Sequence, residues 1–208
     1  MPSGFMKICQ KFMMLTVISF IGLLSLNGCA RYAHNVSALY EPSAGIYGGT
    51  GEVYVIIPES QQTQSSDVKW GIGKITDGDN MKIDDVVSPR SPAEIIQAAL
   101  VLELKKGGYT VTPTTKHHDG EQQVIDITKA EIKLEQVSAL ADLKATCRVL
   151  VGMDVFKNGK MVKRLQYESE SSKTDVKDRD FLAKSVLEEA LQSIMLKATP
   201  DLHGLFKK

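Results

Sequence analysis

The sequence predicts an α+β domain, a mostly antiparallel β-sheet packed on one face by two α-helices, preceded by a cleaved signal peptide and a flexible tether. Three observations predict it. Residues 123–171 alternate apolar and polar side chains in three runs, the last two joined by Asn158-Gly159, the strongest short hairpin signal. Two segments, 91–106 and 178–198, repeat apolar residues at helical spacing instead. The first 28 residues are a basic start, an apolar run and small residues before Cys29, the order of a secretory leader. The sequence of elements (strand, hairpin, helix, meander, helix) places both helices against one sheet.

The leader comes first. Met1 to Lys11 carries Lys7 and Lys11 and no acid; Phe12 to Leu26 is fifteen residues, almost all apolar. That run is short for a membrane span, which needs about twenty residues. Leu26-Asn27-Gly28-Cys29 resembles the bacterial lipobox. The resemblance implies that Leu26 fills an apolar protease pocket, Gly28 leaves room at the scissile bond, and Cys29 takes a diacylglyceryl group on sulfur. A further acyl chain follows on its amine in many bacteria. Asn27 departs from the commoner Ala, Ser or Thr. An ordinary secreted protein and an uncleaved anchor are the alternatives. One acyl chain binds a membrane only marginally, whereas two or three hold it stably. Ala30, rather than Asp, after the cysteine fits the enteric rule for transfer to the outer membrane.

Residues 29–51 are then the lipidated N-terminus and tether, and 52–208 a single periplasmic domain. Arg31 to Gly51 has Pro42, clustered Gly and Ser, and no apolar period, so it reads as a spacer. Tyr40 and Tyr47 leave open that it docks instead. Glu52 to Pro58 is a β-branched strand ended by proline. Val68 to Thr76 and Met81 to Val87 form a hairpin about the turn Asp77-Gly78-Asp79-Asn80. Ser91 to Lys106 is the clearest helix, with Ser91 as N-cap, Pro92 at N1 and Glu94 closing a capping box. Its apolar side is read as Ile95, Ala99, Leu102 and Lys106, flanked by Ile96, Leu100 and Leu104; Gly107-Gly108 stops it. Tyr109 to Thr112 is a strand ended by Pro113, and Thr114 to Gln122 a polar loop. Gln123–Ser138, Lys144–Lys157 and Lys160–Ser171 are the meander. Asp178 to Ala198 is the second helix, with Phe181, Leu182, Val186, Ala190 and Ile194 inward and Pro200 beyond its end. Leu202 to Phe206 is a short piece that packs back.

Composition bounds the chemistry. Charged residues make up 24% and apolar residues 43%, as in a folded domain. Of 25 basic residues two lie in the leader, leaving 23 against 25 acids. A mixed surface near −2 argues against nucleic acid as partner. Of three cysteines, Cys9 goes with the leader and Cys29 to lipid, so Cys147 has no intrachain disulfide partner. It sits in an apolar run, where a thiol acts as a small hydrophobe. His117-His118-Asp119 has metal-ligand residue types, but a site needs three or four ligands and a supporting shell; a solvated loop is the simpler reading. Asp77, Asp79, Asp84 and Asp85 lack the spacing and closing Glu of an EF-hand. No nucleophile elbow, zincin, P-loop or dinucleotide fingerprint occurs. Gly45 to Gly51 does not join a strand to a helix, so it is no phosphate cradle. No cofactor and no catalytic residue is expected.

The order of elements carries one further resemblance. Gly73-Lys74-Ile75-Thr76 before the first helix, Lys105-Lys106-Gly107-Gly108-Tyr109-Thr110-Val111 at its end, the Asn158-Gly159-Lys160 hairpin and the last helix resemble the YajG-like family of bacterial lipoproteins. The resemblance implies an outer-membrane lipoprotein with no established activity, and no functional residue beyond the lipidated cysteine.

The function expected is that of a non-enzymatic accessory or scaffolding protein, anchored in the membrane by lipid and binding envelope proteins. The alternative is an auxiliary lipoprotein of an ABC-type lipid transport system. A cavity between helix and sheet lined by Ile95, Leu102 and Leu187 favours the alternative; a solid core with a bare sheet edge favours protein partners. A hydrolase would require a cleft with several perturbed groups.

Overall fold

The longest strands organise the molecule. In the computed structural model, which describes residues 33–37, 39–116, 123–138, 142–175 and 178–207, β6 (Gln123–Ser138), β7 (Leu143–Lys157) and β8 (Lys160–Asp175) form the antiparallel meander. Period-2 patterning sets their register: Ala145, Cys147, Val149, Val151, Met153 and Val155 all turn inward and are fully buried. Asn158 (φ 51°) and Gly159 (φ 72°) make the β7–β8 turn. Both central residues lie in the left-handed region that a type I′ turn requires.

The earlier strands are β1 (His34–Asn35), β2 (Glu52–Ile56), β3 (Trp70–Asp77), β4 (Lys82–Ser88) and β5 (Thr110–Thr114). β3 and β4 are the expected hairpin. β6 pairs with β7 along one side. On the other it takes β2 at its start and β3 at its end, both parallel. β5 joins β2 and β1 joins β4, again parallel. Most paired residues therefore belong to antiparallel ladders, as the alternation implies, but the eight described strands form a mixed sheet. Gly73 permits the β3–β6 approach, since a Cβ there would lie 2.0 Å from the Leu134 carbonyl oxygen.

Helix α1 (Pro92–Lys106) begins at the capping box: Ser91 Oγ accepts from the Glu94 N–H at 3.1 Å, and Glu94 Oε2 accepts from the Ser91 N–H at 2.8 Å. It ends in a Schellman closure, with Tyr109 N–H donating to the Leu104 carbonyl and Gly108 N–H (φ 104°) to that of Lys105. Its buried face is Ala93, Ile95, Ile96, Ala99, Leu100, Glu103 and Leu104. The expected stripe through Leu102 and Lys106 is thus corrected: Leu102 is exposed and the carboxylate one residue on is buried.

Helix α2 (Arg179–Lys207) starts at Asp178, whose Oδ1 accepts the Phe181 N–H at 3.0 Å. It does not stop before Pro200, which lies inside it. Pro200 is on the exposed side, and the inward positions Ala198, Thr199, Leu202 and Phe206 continue the buried stripe past it. Burying Leu202 and Phe206, worth about 1.5–3 kcal/mol each, is of the same size as the roughly 3 kcal/mol cost of an interior proline. Phe181, expected inward, is exposed. Both helices cover one sheet face and share a single core with it, built around Ile96, Leu100, Leu187, Leu191, Ile125 and Met153.

Among residues expected to be a spacer, the described ones, 33–37 and 39–51, belong to the same compact unit as the sheet and helices. Residues of the expected tether thus pack on the domain, through the β1–β4 pairing and buried Val36 and Ile46.

Candidate functional site at the docked N-terminal segment

Residues 33–51 are bound along the domain by elementary polar and apolar contacts. β1 adds two residues to the β4 edge, and Val36 N–H extends the pairing to the Val87 carbonyl at 2.8 Å. Val36, Ala44 and Ile46 are buried. The centre of the attachment is Glu103, fully buried on α1. Its carboxylate accepts hydrogen bonds from the Tyr40 hydroxyl, from Ser43 N–H at 2.6 Å and from Ala44 N–H at 3.1 Å. Burying a carboxylate is costly unless its lone pairs are filled; here the incoming backbone fills them. Burial, with Glu103 beside it, pushes the Tyr40 phenol well above its ordinary range, so Tyr40 stays a donor. Lys106 Nζ donates to the Pro42 carbonyl at 2.8 Å.

The glycine-rich run finds its use here. Gly49 N–H donates to the Gly107 carbonyl at 2.9 Å. A Cβ on Gly49 would stand 2.3 Å from the Tyr109 ring, so only glycine lets the segment cross that point. Tyr109 OH bonds His203 Nδ1 at 2.7 Å. Burial lowers the His203 pKa, which leaves the imidazole neutral and able to share that bond.

The segment leads upstream toward one end of the molecule. His34 Nε2 lies 2.5 Å from Asp180 at the start of α2. Arg179 donates to Ser138 Oγ at 2.7 Å and its carbonyl accepts from Gln136 Nε2 at 2.8 Å, so α2 starts where β6 ends. Asp77 pairs with Ser138, which puts the β3–β4 turn at the same end. Three large apolar side chains are exposed there: Met81 (68%), Ile83 (50%) and Phe181 (61%).

The residues singled out in the sequence fall as follows. Leu26, Asn27, Gly28 and Cys29 lie outside the described residues, and so do His117, His118 and Asp119. Asp77 Oδ1 accepts the N–H groups of Asp79 and Met81 at 3.0 and 2.8 Å. Asp84 accepts from Asp85 N–H, and Asp85 pairs with Lys82 at 2.6 Å. These acids organise a turn and do not converge. Among the described residues no group of three or more His, Cys, Asp or Glu could hold a metal ion. Cys147 is fully buried, and burial pushes its thiol up to about 12, so it remains a protonated hydrophobe. Ile95 and Leu187 are core residues while Leu102 faces solvent, so the three line no common cavity.

Surface grooves among the described residues include the following pair. One, of about 410 Å³, lies over the outer side of α1 between Glu94, Gln97, Leu102 and Pro113. The other, of about 300 Å³, is on the uncovered sheet face, lined by Lys133, Glu135, Thr146, Arg148 and Glu170. Its charges are paired across strands: Arg148 with Glu170 at 2.9 Å and Lys74 with Glu135 at 3.1 Å. No helix among the described residues is long and apolar enough to cross a membrane.

Glu103 and its strap were missed by sequence reasoning, although a signal existed. Counting by three and four from Ala99 and Leu100 lands twice on Glu103 and once each on Leu102 and Leu104, so the spacing placed Glu103 on the buried side at least as firmly as Leu102.

No family model and no curated protein sequence matches the chain. Among solved structures, the chain is similar to a Xanthomonas campestris protein of the DUF330 family at 8% identity and TM-score 0.46, covering 84% of this chain and 98% of that one. It is also similar to a minor lipoprotein from Acinetobacter baumannii at 8% identity and TM-score 0.45, covering 74% and 93%. At such identities and TM-scores the likeness assigns neither family nor activity.

Proposed function

We propose that this chain is a bacterial envelope lipoprotein, anchored by acyl chains on Cys29, whose domain serves as a non-enzymatic accessory or scaffold for other envelope proteins. One observation carries the reading: Leu26-Asn27-Gly28-Cys29 follows directly on a basic start and a fifteen-residue apolar run. The enteric rule at Ala30 adds the outer membrane, periplasmic side, as its place. The domain offers features that suit protein partners. β8 is sixteen residues long and pairs only with β7 among the described strands, which leaves a bare edge. The adjoining sheet face is open and charged. The transport-auxiliary reading draws less support, because Leu102 turns away from the core it was expected to line.

The test is metabolic labelling with palmitate of wild type and Cys29→Ser in the native host. The wild type takes up label and sediments with membranes; the variant takes up none and leaves them. Label retained by Cys29→Ser rules the anchor out. Crosslinking of the wild type in cells, read by mass spectrometry, then names the partner.

A further inference from the structure

We infer that the end of the domain bearing Met81, Ile83 and Phe181 rests on the surface of a zwitterionic phospholipid bilayer. The inference rests on lipidation at Cys29 and adds to it an orientation and a contact surface. The length of chain between anchor and domain carries it. Ala33 is already part of the folded unit, and His34 is already paired to Val86. Three residues separate Cys29 from Ala33, four steps along the chain, and an extended chain covers at most about 3.3–3.6 Å per step. The Cys29 Cα therefore lies within roughly 14 Å of that of Ala33, far less than the roughly 50 Å length of a sixteen-residue strand such as β6. No room is left for a spacer that holds the domain clear of the lipid.

The direction of β1 selects the end. β1 runs parallel to β4, so the chain reaches His34 from the side on which β4 starts. That side holds the β3–β4 turn and, through His34–Asp180, the first turn of α2. Exposed Met81, Ile83 and Phe181 gather there, and at a lipid surface such side chains gain the contact that they lack in water. The charges around them fix the lipid class. Across residues 77–85 and 178–184, Asp77, Asp79, Asp84, Asp85, Asp178 and Asp180 outnumber Lys82, Arg179 and Lys184, so an anionic headgroup layer is repelled and a zwitterionic one is accepted. The opposite end, with Asn158-Gly159 and exposed Met161, is held away from the membrane.

The experiment uses acylated full-length protein in phosphatidylethanolamine–phosphatidylcholine vesicles with brominated acyl chains. An environment-sensitive fluorophore is placed by Ile83→Cys or Phe181→Cys, and by Met161→Cys as the distal reference. Buried, protonated Cys147 and thioether-blocked Cys29 leave the introduced thiol as the reactive one. The expected result is loss of emission by bromine quenching at 83 and 181 and none at 161, with the loss diminished when anionic lipid is added. Intact mass of the same samples reports the acyl groups. Acylated protein unquenched at 83 and 181 overturns the orientation and leaves the lipoprotein reading standing. Protein without acyl groups overturns both. Protection that grows with protein density at fixed lipid composition marks a second copy of the chain as the occupant and also overturns the inference.

Discussion

Glu103 shows how one side chain holds an incoming segment against a domain. It is the single acid on the buried face of α1, and three donors from residues 40–44 converge on it. Removing the acceptor leaves buried donors unpaired, at about 1–3 kcal/mol each when water cannot reach them. Glu103→Ala is expected to lower stability by about 3 kcal/mol and to expose residues 33–51 to limited proteolysis, whereas Glu103→Gln, which keeps a carbonyl acceptor, loses less. Chemical denaturation and a protease time course check both. Glu94 is the complementary case. Burial raises its pKa, but bonds from Thr63 and Ser91 outweigh that and hold it below the ordinary glutamate value. A carboxylate depressed in the folded state stabilises fully above its unfolded pKa of about 4.3 and loses that contribution as pH falls through the folded value. Thermal melts between pH 7 and 3 are therefore expected to show a loss below about pH 4.3 that Glu94→Gln lacks.

At the scale of elements, what the sequence made legible was what depends on near neighbours. The β3–β4 hairpin, the capping box at Ser91 and Glu94, the long alternating strands and the Asn158-Gly159 turn are each set by residues within a few positions, and the structure has all of them. The parallel pairing of β2 with β5 and β6 was not legible, because a β-branched strand such as EVYVI carries no mark of its distant partner. The docking of residues 33–51 was hidden for the same reason: its acceptor lies about sixty positions downstream. Leu26 to Cys29, read as a lipobox, lie outside the described residues. Pro200 misled for a different reason. The local rule ends helices before proline, yet the burial of Leu202 and Phe206 offsets the broken bond to the Leu196 carbonyl, on the exposed side. Pro200→Ala restores that bond without disturbing the core and is expected to stabilise the protein by up to about 3 kcal/mol, read as a raised melting temperature.

At the scale of the whole molecule, the anchor proposed at Cys29 would join these features. The strap held by Glu103 and the β1–β4 pairing dock residues near Ala33 on the folded domain, only a few positions after the proposed anchor. In the proposed orientation the uncovered face and the β8 edge, which pairs only with β7 among the described strands, would point away from the membrane. All of this depends on the chemistry at one cysteine. The direct measurement is tandem mass spectrometry of the N-terminal peptide from protein isolated from membranes of the native host. The account predicts a peptide that begins at Cys29 and carries a thioether-linked diacylglycerol; a peptide running unbroken through Gly28 and Cys29, with the thiol free, contradicts it.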